Sequence, residues 1–191
     1  MGTDSETDLM VRFAKGDEQA FRDLFLLYRN RIIAYCYRFF FVLYLAEELS
    51  QEIFLKVYKA GPGYVPTARF STWIFKIAAH ACLNERRRGL YRNRIESIDS
   101  DEGSAVKDIP DPGATAHDRI EAMEKTRRIG LALRDLPKKQ RAALLLREYH
   151  GFSYREIGGQ LNMTEAGVKS LIHRGRENLR DALWDVLGEE S

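Results

Sequence analysis

The stretch Ser153–Leu183, SYREIGGQLNMTEAGVKSLIHRGRENLRDAL, decides how this chain is read. Ser153 followed by Glu156 is a capping box, so a helix is predicted to start there, with Tyr154, Ile157, Gly158 and Leu161 on one face. Asn162 and Met163 break it. Thr164 is a good N-cap for a second helix, whose Val168, Leu171, Ile172, Gly175, Leu179 and Leu183 repeat the apolar stripe. The opposite face carries Lys169, Ser170, His173, Arg174 and Arg176. This is the helix-turn-helix pattern, in which the first helix braces and the second enters the major groove. Arginine can bond guanine bidentately or pair with phosphate, and Ser170 or His173 can add a base or phosphate contact.

Outward from that stretch, charge is informative by its distribution rather than its sum. The 191 residues hold 30 Lys+Arg against 28 Asp+Glu, a net charge of only +2. Residues 81–94 nevertheless hold five Arg against one Glu, whereas residues 97–118 hold six acids against one Lys. Such separation marks a basic docking surface and an acidic, solvated linker. Cys36 and Cys82 lie in apolar stretches without CxxC spacing and read as buried thiols in a reducing cytosol, neither a disulfide nor a zinc site. The start of the chain is short, acidic and polar, unlike a secretory leader, and the apolar run Phe39–Leu45 falls far short of the roughly 20 residues a membrane span needs. A cytoplasmic protein with no direct membrane insertion is expected.

The remaining pattern is helical, and predicts an all-α fold of two small domains joined by a flexible acidic linker. The first domain, 8–95, opens with a helix pair to about Phe41; Asp17 caps a helix with Ala20, Phe21, Leu24, Phe25, Leu27, Tyr28, Ile32 and Tyr35 as its stripe. Another helix begins near Ala46, turning Leu49, Ile53, Phe54 and Val57 inward and Glu47, Glu48, Gln51, Glu52 and Lys56 outward, and stops at Ala60-Gly61-Pro62-Gly63. Tyr64–Arg69 reads as an exposed loop, followed from Ser71 by a helix that ends in the cationic run Asn84-Glu85-Arg86-Arg87-Arg88-Gly89. The linker, 96–118, is rich in Asp, Pro and Gly and cannot bury a core. The second domain, 119–187, comprises a helix to Leu136, one starting at Pro137 with Ala142, Leu145, Leu146 and Tyr149 on its core side, and the helix-turn-helix.

Three further constellations carry possible chemistry. Tyr64, Phe70, Trp73, Lys76 and the arginine run interleave aromatic rings with cations, a composition that suits stacking of unpaired bases, although Phe70 and Trp73 at helical spacing equally suit a core. Glu47, Glu48, Gln51 and Glu52 form an acidic face better suited to a partner than to acid–base catalysis. His117-Asp118 resembles one element of a metal-dependent phosphohydrolase but stands as a single pair in an acidic linker, without further helical histidines. With no Gly-rich phosphate loop, no nucleophile–base pair and no Cys/His ligand set, the chain is expected to be no enzyme and to use neither cofactor nor metal.

The order of these parts resembles the extracytoplasmic-function (ECF) group of bacterial sigma factors. Four stretches carry the likeness: GDEQAFRDLFLLYRNRI (Gly16–Ile32), AEELSQEIFLKVY (Ala46–Tyr58), FSTWIFKIAAH with the following NERRR (Phe70–His80, Asn84–Arg88), and LPKKQRAALLLREYHGFSYREIGGQLNMTEAGVKSLIHRGRENLR (Leu136–Arg180). The resemblance implies a promoter-specificity subunit that binds RNA polymerase core at the clamp of the largest subunit and the flap of the second largest. It implies that Glu47, Glu48, Gln51 and Glu52 face the clamp. The loop Tyr64–Ala68 would take a flipped base of the melted non-template strand, and the helix from Trp73 to Arg88 would hold that strand. The minus-ten set is then Tyr64, Phe70, Trp73, Lys76, His80, Asn84, Arg86, Arg87 and Arg88. Lys169, Ser170, His173, Arg174 and Arg176 would read the minus-thirty-five element of the promoter as duplex. An anti-sigma factor is a further implied partner.

The chain also departs from the family pattern. His80 stands where Asn is common, and the turn before Ala46, usually polar with Gly or Asp, is Phe41-Val42-Leu43-Tyr44, read here as core. Gly167 and Gly175 each cost the recognition helix about 1 kcal/mol relative to Ala, so its order is expected to depend on packing or DNA. Two other readings stand beside this one: a stand-alone helix-turn-helix regulator binding an operator as a dimer, and a phosphohydrolase using His117-Asp118.

Overall fold

The computed structural model describes residues 5–85 and 127–187, with side chains as far as residue 184. All regular structure among the described residues is helical: α1 Ser5–Ala14, α2 Glu18–Phe40, α3 Leu43–Ala60, a 3-10 turn Gly61–Gly63, α4 Phe70–Asn84, α5 over 127–135, α6 Lys138–Glu148, α7 Tyr154–Leu161 and α8 Glu165–Leu187. The linker, Arg86–Arg88 and His117-Asp118 lie outside the described residues.

In the first domain Asp17 is the predicted cap. Its carboxylate accepts from the Gln19 and Ala20 amides at 3.1 and 3.2 Å and is paired with Arg12 at 2.6 Å, which holds it below the usual carboxylate range. The α2 stripe is buried at Ala20, Leu24, Tyr28, Ile32, Tyr35, Cys36 and Phe39, meeting Leu45, Leu49 and Ile53 of α3 and Ile74, Phe75 and Ala78 of α4. Aromatic pairs set the packing, with Tyr28 edge-on to Phe70 at 5.1 Å and Phe25 to Phe54 at 4.8 Å. Arg69 gives α4 no side-chain cap; instead Thr7 of α1 accepts from the Phe70 amide at 3.1 Å. The Cys36 and Cys82 thiols face one another across α2 and α4 at 3.8 Å, both buried and free.

Four expectations need correction, the first being Leu27, which the pattern puts on the α2 stripe but which is 53% exposed. Helix α3 starts at Leu43 rather than Ala46, so the Phe41–Tyr44 run is a helix junction: Phe41, Val42 and Leu43 are half-buried and Tyr44 is exposed. Helix α4 ends at Asn84, with Glu85 already extended, short of the end at Arg88 that the cationic run suggests. Tyr149 is not core: it caps the end of α6 half-exposed, with the Arg38 guanidinium 4.3 Å from its ring centre.

The second domain packs Leu133, Leu136, Ala142, Leu145, Leu146, Ile157, Leu161, Val168 and Ile172 into its core. At its centre lies Arg141, 1% exposed, whose guanidinium donates to the carbonyls of Arg134, Leu136 and Phe39. The last of these belongs to α2. Contacts between the domains continue along α4: Lys138 donates to the Glu85 carbonyl at 3.0 Å, the His150 ring lies 4.0 Å from that of Phe75, and Thr72 donates to Glu156 at 3.3 Å. The buried cores of the two halves are therefore continuous.

Candidate nucleic-acid interface

The helix-turn-helix forms by the local devices its sequence encodes. The Ser153 hydroxyl accepts from the Glu156 amide at 3.2 Å while the Glu156 carboxylate accepts from the Ser153 amide at 2.9 Å. Burial pushes the Glu156 carboxyl up, but the bonds from Ser153 and Thr72 outweigh it and hold the group below its ordinary range. Asn162 closes α7 in the left-handed conformation at φ 54°. The Met163 amide bonds back to the Gly158 carbonyl at 2.9 Å, and Thr164 caps α8 by accepting from Gly167 at 3.2 Å.

Two glycines in α7 have different standing. A Cβ at Gly158 would lie 2.7 Å from the Met163 carbonyl oxygen, a backbone atom that cannot yield without opening the turn, whereas a Cβ at Gly159 would meet nothing within 4 Å. Gly158→Ala is therefore expected to cost about 1–3 kcal/mol, and Gly159→Ala to gain about 0.5–1 kcal/mol. Thermal unfolding of the two variants checks the opposite signs. In α8, Gly175 admits the Leu144 side chain, whose nearest carbon would lie 3.0 Å from an added Cβ, so this glycine serves the packing of α8 on α6.

Lys169, Ser170, His173 and Arg174 are exposed on the outer side of α8. Arg174 bonds back to the Ser170 carbonyl at 3.4 Å, and His173 lies 3.5 Å from Glu177. Arg176 is exposed too, but its guanidinium is held 2.6 Å from Glu148 of α6. An exposed pair of this kind is worth about 1 kcal/mol or less, so a phosphate can displace it.

In the first domain, Trp73, Lys76, His80 and Asn84 recur at i, i+3, i+7 and i+11 and share one face of α4. Lys76 and Asn84 are exposed; Trp73 and His80 are half-buried. Tyr64 stands edge-on to Trp73 at 5.1 Å, at the mouth of a loop whose residues 65–69 are all exposed. Phe70 does not join this surface: it is fully buried between Tyr28 and Trp73 and offers no ring face to a ligand in this arrangement. Glu47 and Gln51 are exposed on α3, with Glu48 and Glu52 half-buried beside them. The same stripe continues into Leu55, 58% exposed, which the sequence pattern alone does not single out. The available signal is an apolar residue four positions beyond Gln51 on an otherwise charged face.

The fold and these surfaces define a helical, DNA-reading protein with two modules, and family comparison assigns both. Residues 24–90 match the model of sigma-70 region 2, and residues 126–179 match that of sigma-70 region 4. The chain is 31% identical over 174 residues to the ECF RNA polymerase sigma factor SigW of Bacillus subtilis, covering 90% of this chain and 93% of that protein. It is 32% identical to the RNA polymerase sigma-H factor of Pseudomonas aeruginosa, covering 97% of each. Among solved structures, the fold is similar to CnrH in complex with the cytosolic domain of CnrY, with a TM-score of 0.69 and 20% identity over 98% of this chain and all of that one. It is also similar to the sigma factor RpoE of Bartonella quintana in complex with the anti-sigma factor NepR, with a TM-score of 0.61 and 21% identity over 85% of this chain and 96% of that one. The chain belongs to the ECF group of the sigma-70 family. It is a transcription initiation factor that directs RNA polymerase core to promoter DNA.

Proposed function

We propose a residue-level division of this work. Residues 8–95 bind core polymerase and open the minus-ten element, residues 119–187 read the minus-thirty-five element as duplex, and 96–118 tether the two. Glu47, Glu48, Gln51 and Glu52, with Leu55 beside them, face the polymerase clamp. Tyr64 and the loop through Ala68 receive a base flipped from the non-template strand, while Trp73, Lys76, His80, Asn84 and Arg86–Arg88 track that strand. Lys169, Ser170, His173 and Arg174 reach base edges and phosphates, with Arg176 joining once released from Glu148. The observation that carries this reading is the half-open Tyr64–Trp73 pair at the head of the Lys76-His80-Asn84 stripe. Rings beside cations repay the unstacking of a base while the cations follow its backbone.

The factor acts in the cytoplasm, where its polymerase is, and catalyses no reaction of its own; no described helix is long and apolar enough to cross a membrane. An anti-sigma protein is a proposed partner, supported by the two structural neighbours, each solved with a protein bound to it.

Purified protein with core polymerase should give specific transcripts from a pool of genomic promoters, and none from any promoter would defeat the reading. A stand-alone regulator would instead bind an operator tightly without polymerase. Within the complex, Trp73→Ala should remove about 1–3 kcal/mol of stacking and slow strand opening, measured by permanganate reactivity of unpaired thymines. Arg174→Ala should weaken upstream duplex binding by about 1–3 kcal/mol and leave opening on a pre-melted template unchanged. If both variants affected duplex binding alone, the division would be wrong.

A further inference from the structure

Helix α1 belongs to none of the surfaces assigned above, yet it grips both ends of the segment that carries the loop Tyr64–Ala68. Its buried side, Thr7, Met10 and Phe13, recurs every three residues, and the first of these places a hydroxyl in an otherwise apolar stripe. Thr7 stands one residue ahead of position 8, where the sequence pattern starts the first domain. The helix is itself held near both ends, with Tyr28 donating to Glu6 at 2.7 Å and Arg12 paired with Asp17 at 2.6 Å.

Beyond the loop, the Thr7 hydroxyl accepts from the Phe70 amide at 3.1 Å, a buried bond across 63 positions of chain. A helix is commonly opened by Ser, Thr, Asp or Asn just before its first turn, and Arg69 makes no such bond. The start of α4 is therefore fixed from α1 rather than by its own sequence. Phe70 carries that constraint outward, its ring lying 5.9 Å from that of Trp73. Ahead of the loop, Gly61 has φ −49° and ψ −54°, a helical conformation open to any residue, so its backbone does not require glycine. The Phe13 ring does: the three nearest atoms that a Cβ at 61 would meet all belong to it. The Gly61 carbonyl in turn accepts from the Tyr64 amide at 3.1 Å. Each member of the Tyr64–Trp73 pair is thus one step from a contact with α1.

We propose that α1 is a positioning element for base capture: Phe13 seats Gly61, Thr7 seats Phe70, and together they hold the Tyr64–Trp73 pair in a single arrangement. The inference rests on the reading that this pair and its loop receive a flipped base; Thr7 and Phe13 touch no nucleic acid themselves. A preorganised site discriminates because it does not reshape itself around the wrong base, and a loop released at either end forfeits that advantage. Thr7→Val keeps the shape of the side chain and removes only the acceptor, so the buried Phe70 amide has to move to find another. Gly61→Ala suits the backbone but collides with Phe13.

The test uses the full-length factor with core polymerase and single-stranded non-template oligonucleotides spanning the minus-ten element of a promoter recovered from the genomic pool, each position varied through the four bases. Thr7→Val and Gly61→Ala should each shrink the affinity ratio between best and worst base at the captured position by about tenfold. Affinity for core, binding to the upstream duplex and helical circular dichroism should stay unchanged, and Thr7→Ser, which keeps the hydroxyl, should restore the ratio. Full discrimination in both variants overturns the proposal, and so does a parallel loss of core and upstream binding, the mark of a merely structural role. Tyr64→Ala separates this inference from the reading beneath it. Discrimination lost in Tyr64→Ala but kept in the α1 variants defeats the role of α1 alone, whereas discrimination kept in Tyr64→Ala defeats the base-capture assignment and the role of α1 with it.

Discussion

Arg141→Ala is expected to lower the stability of the folded chain by about 3–5 kcal/mol, a large share of what holds a protein of this size folded. The guanidinium is 1% exposed and serves three carbonyls: that of Arg134 in the last turn of α5, that of Leu136 just beyond it, and that of Phe39 near the end of α2. A helix terminus leaves such carbonyls without intrahelical donors, and a buried acceptor stripped of its partner costs about 1–3 kcal/mol. The cation also stands 5.0 Å from the Phe39 ring centre, a contact that alanine forfeits. Lysine cannot substitute, because one ammonium on a flexible stem does not reproduce a planar fork aimed at three acceptors. Thermal unfolding should show a fall in Tm of roughly 10 °C for Arg141→Ala and a similar one for Arg141→Lys. A loss below about 1 kcal/mol would mean that water replaces the guanidinium at those carbonyls.

Arg141 also marks the boundary of what the sequence can say. The helix-turn-helix is legible because each of its devices is local: Ser153 and Glu156 are three residues apart, Asn162 takes the left-handed cap, and Thr164 caps the next helix. The stripes of α2 and α3 are legible for the same reason, since one helical period carries them. The acidic face of α3 can be read as a face, whereas Leu55 cannot, because an apolar residue draws attention only once its neighbours are known to be exposed. Arg141 reads in sequence as a solvated charge; only the convergence of α2, α5 and α6 surrounds it. Phe70 illustrates the reverse ambiguity. Its spacing suits a base platform as well as a core, and the choice is made by Tyr28, 42 positions away in the chain. The end of α4 is hidden because arginines are good helix formers, so nothing in the local run announces that Glu85 turns extended and is held by Lys138 from the other domain.

Acidification is expected to loosen the closed chain through one residue, His150. Its ring stacks on Phe75 at 4.0 Å and approaches Tyr35 at 5.6 Å, both in the first domain, and its Nε2 is buried without a hydrogen-bond partner. Burial, then the charges of Arg31 and Arg38 on α2, push its pKa from the ordinary 6.5 down to about 4. Between those values the unfolded chain binds a proton that the folded chain resists, so stability rises with pH there. The contribution of His150 is complete above pH 6.5 and is lost at about 1.4 kcal/mol per unit as the pH falls, reaching roughly 3 kcal/mol near pH 4. Glu156 on α7 also titrates at this boundary, its carboxyl held below its ordinary 4.5, and its protonation acts at the acidic end of the window and below it. His150→Phe, which keeps an aromatic ring against Phe75 without a titrating nitrogen, should therefore flatten the stability profile between pH 6.5 and 5 and leave the steeper decline at lower pH in place. An unchanged slope in that variant would assign the loss to the carboxylates. The same acidification should lengthen the distance between labels on α2 and α8 before it reduces helicity, because the ring that charges lies between the domains rather than within either core.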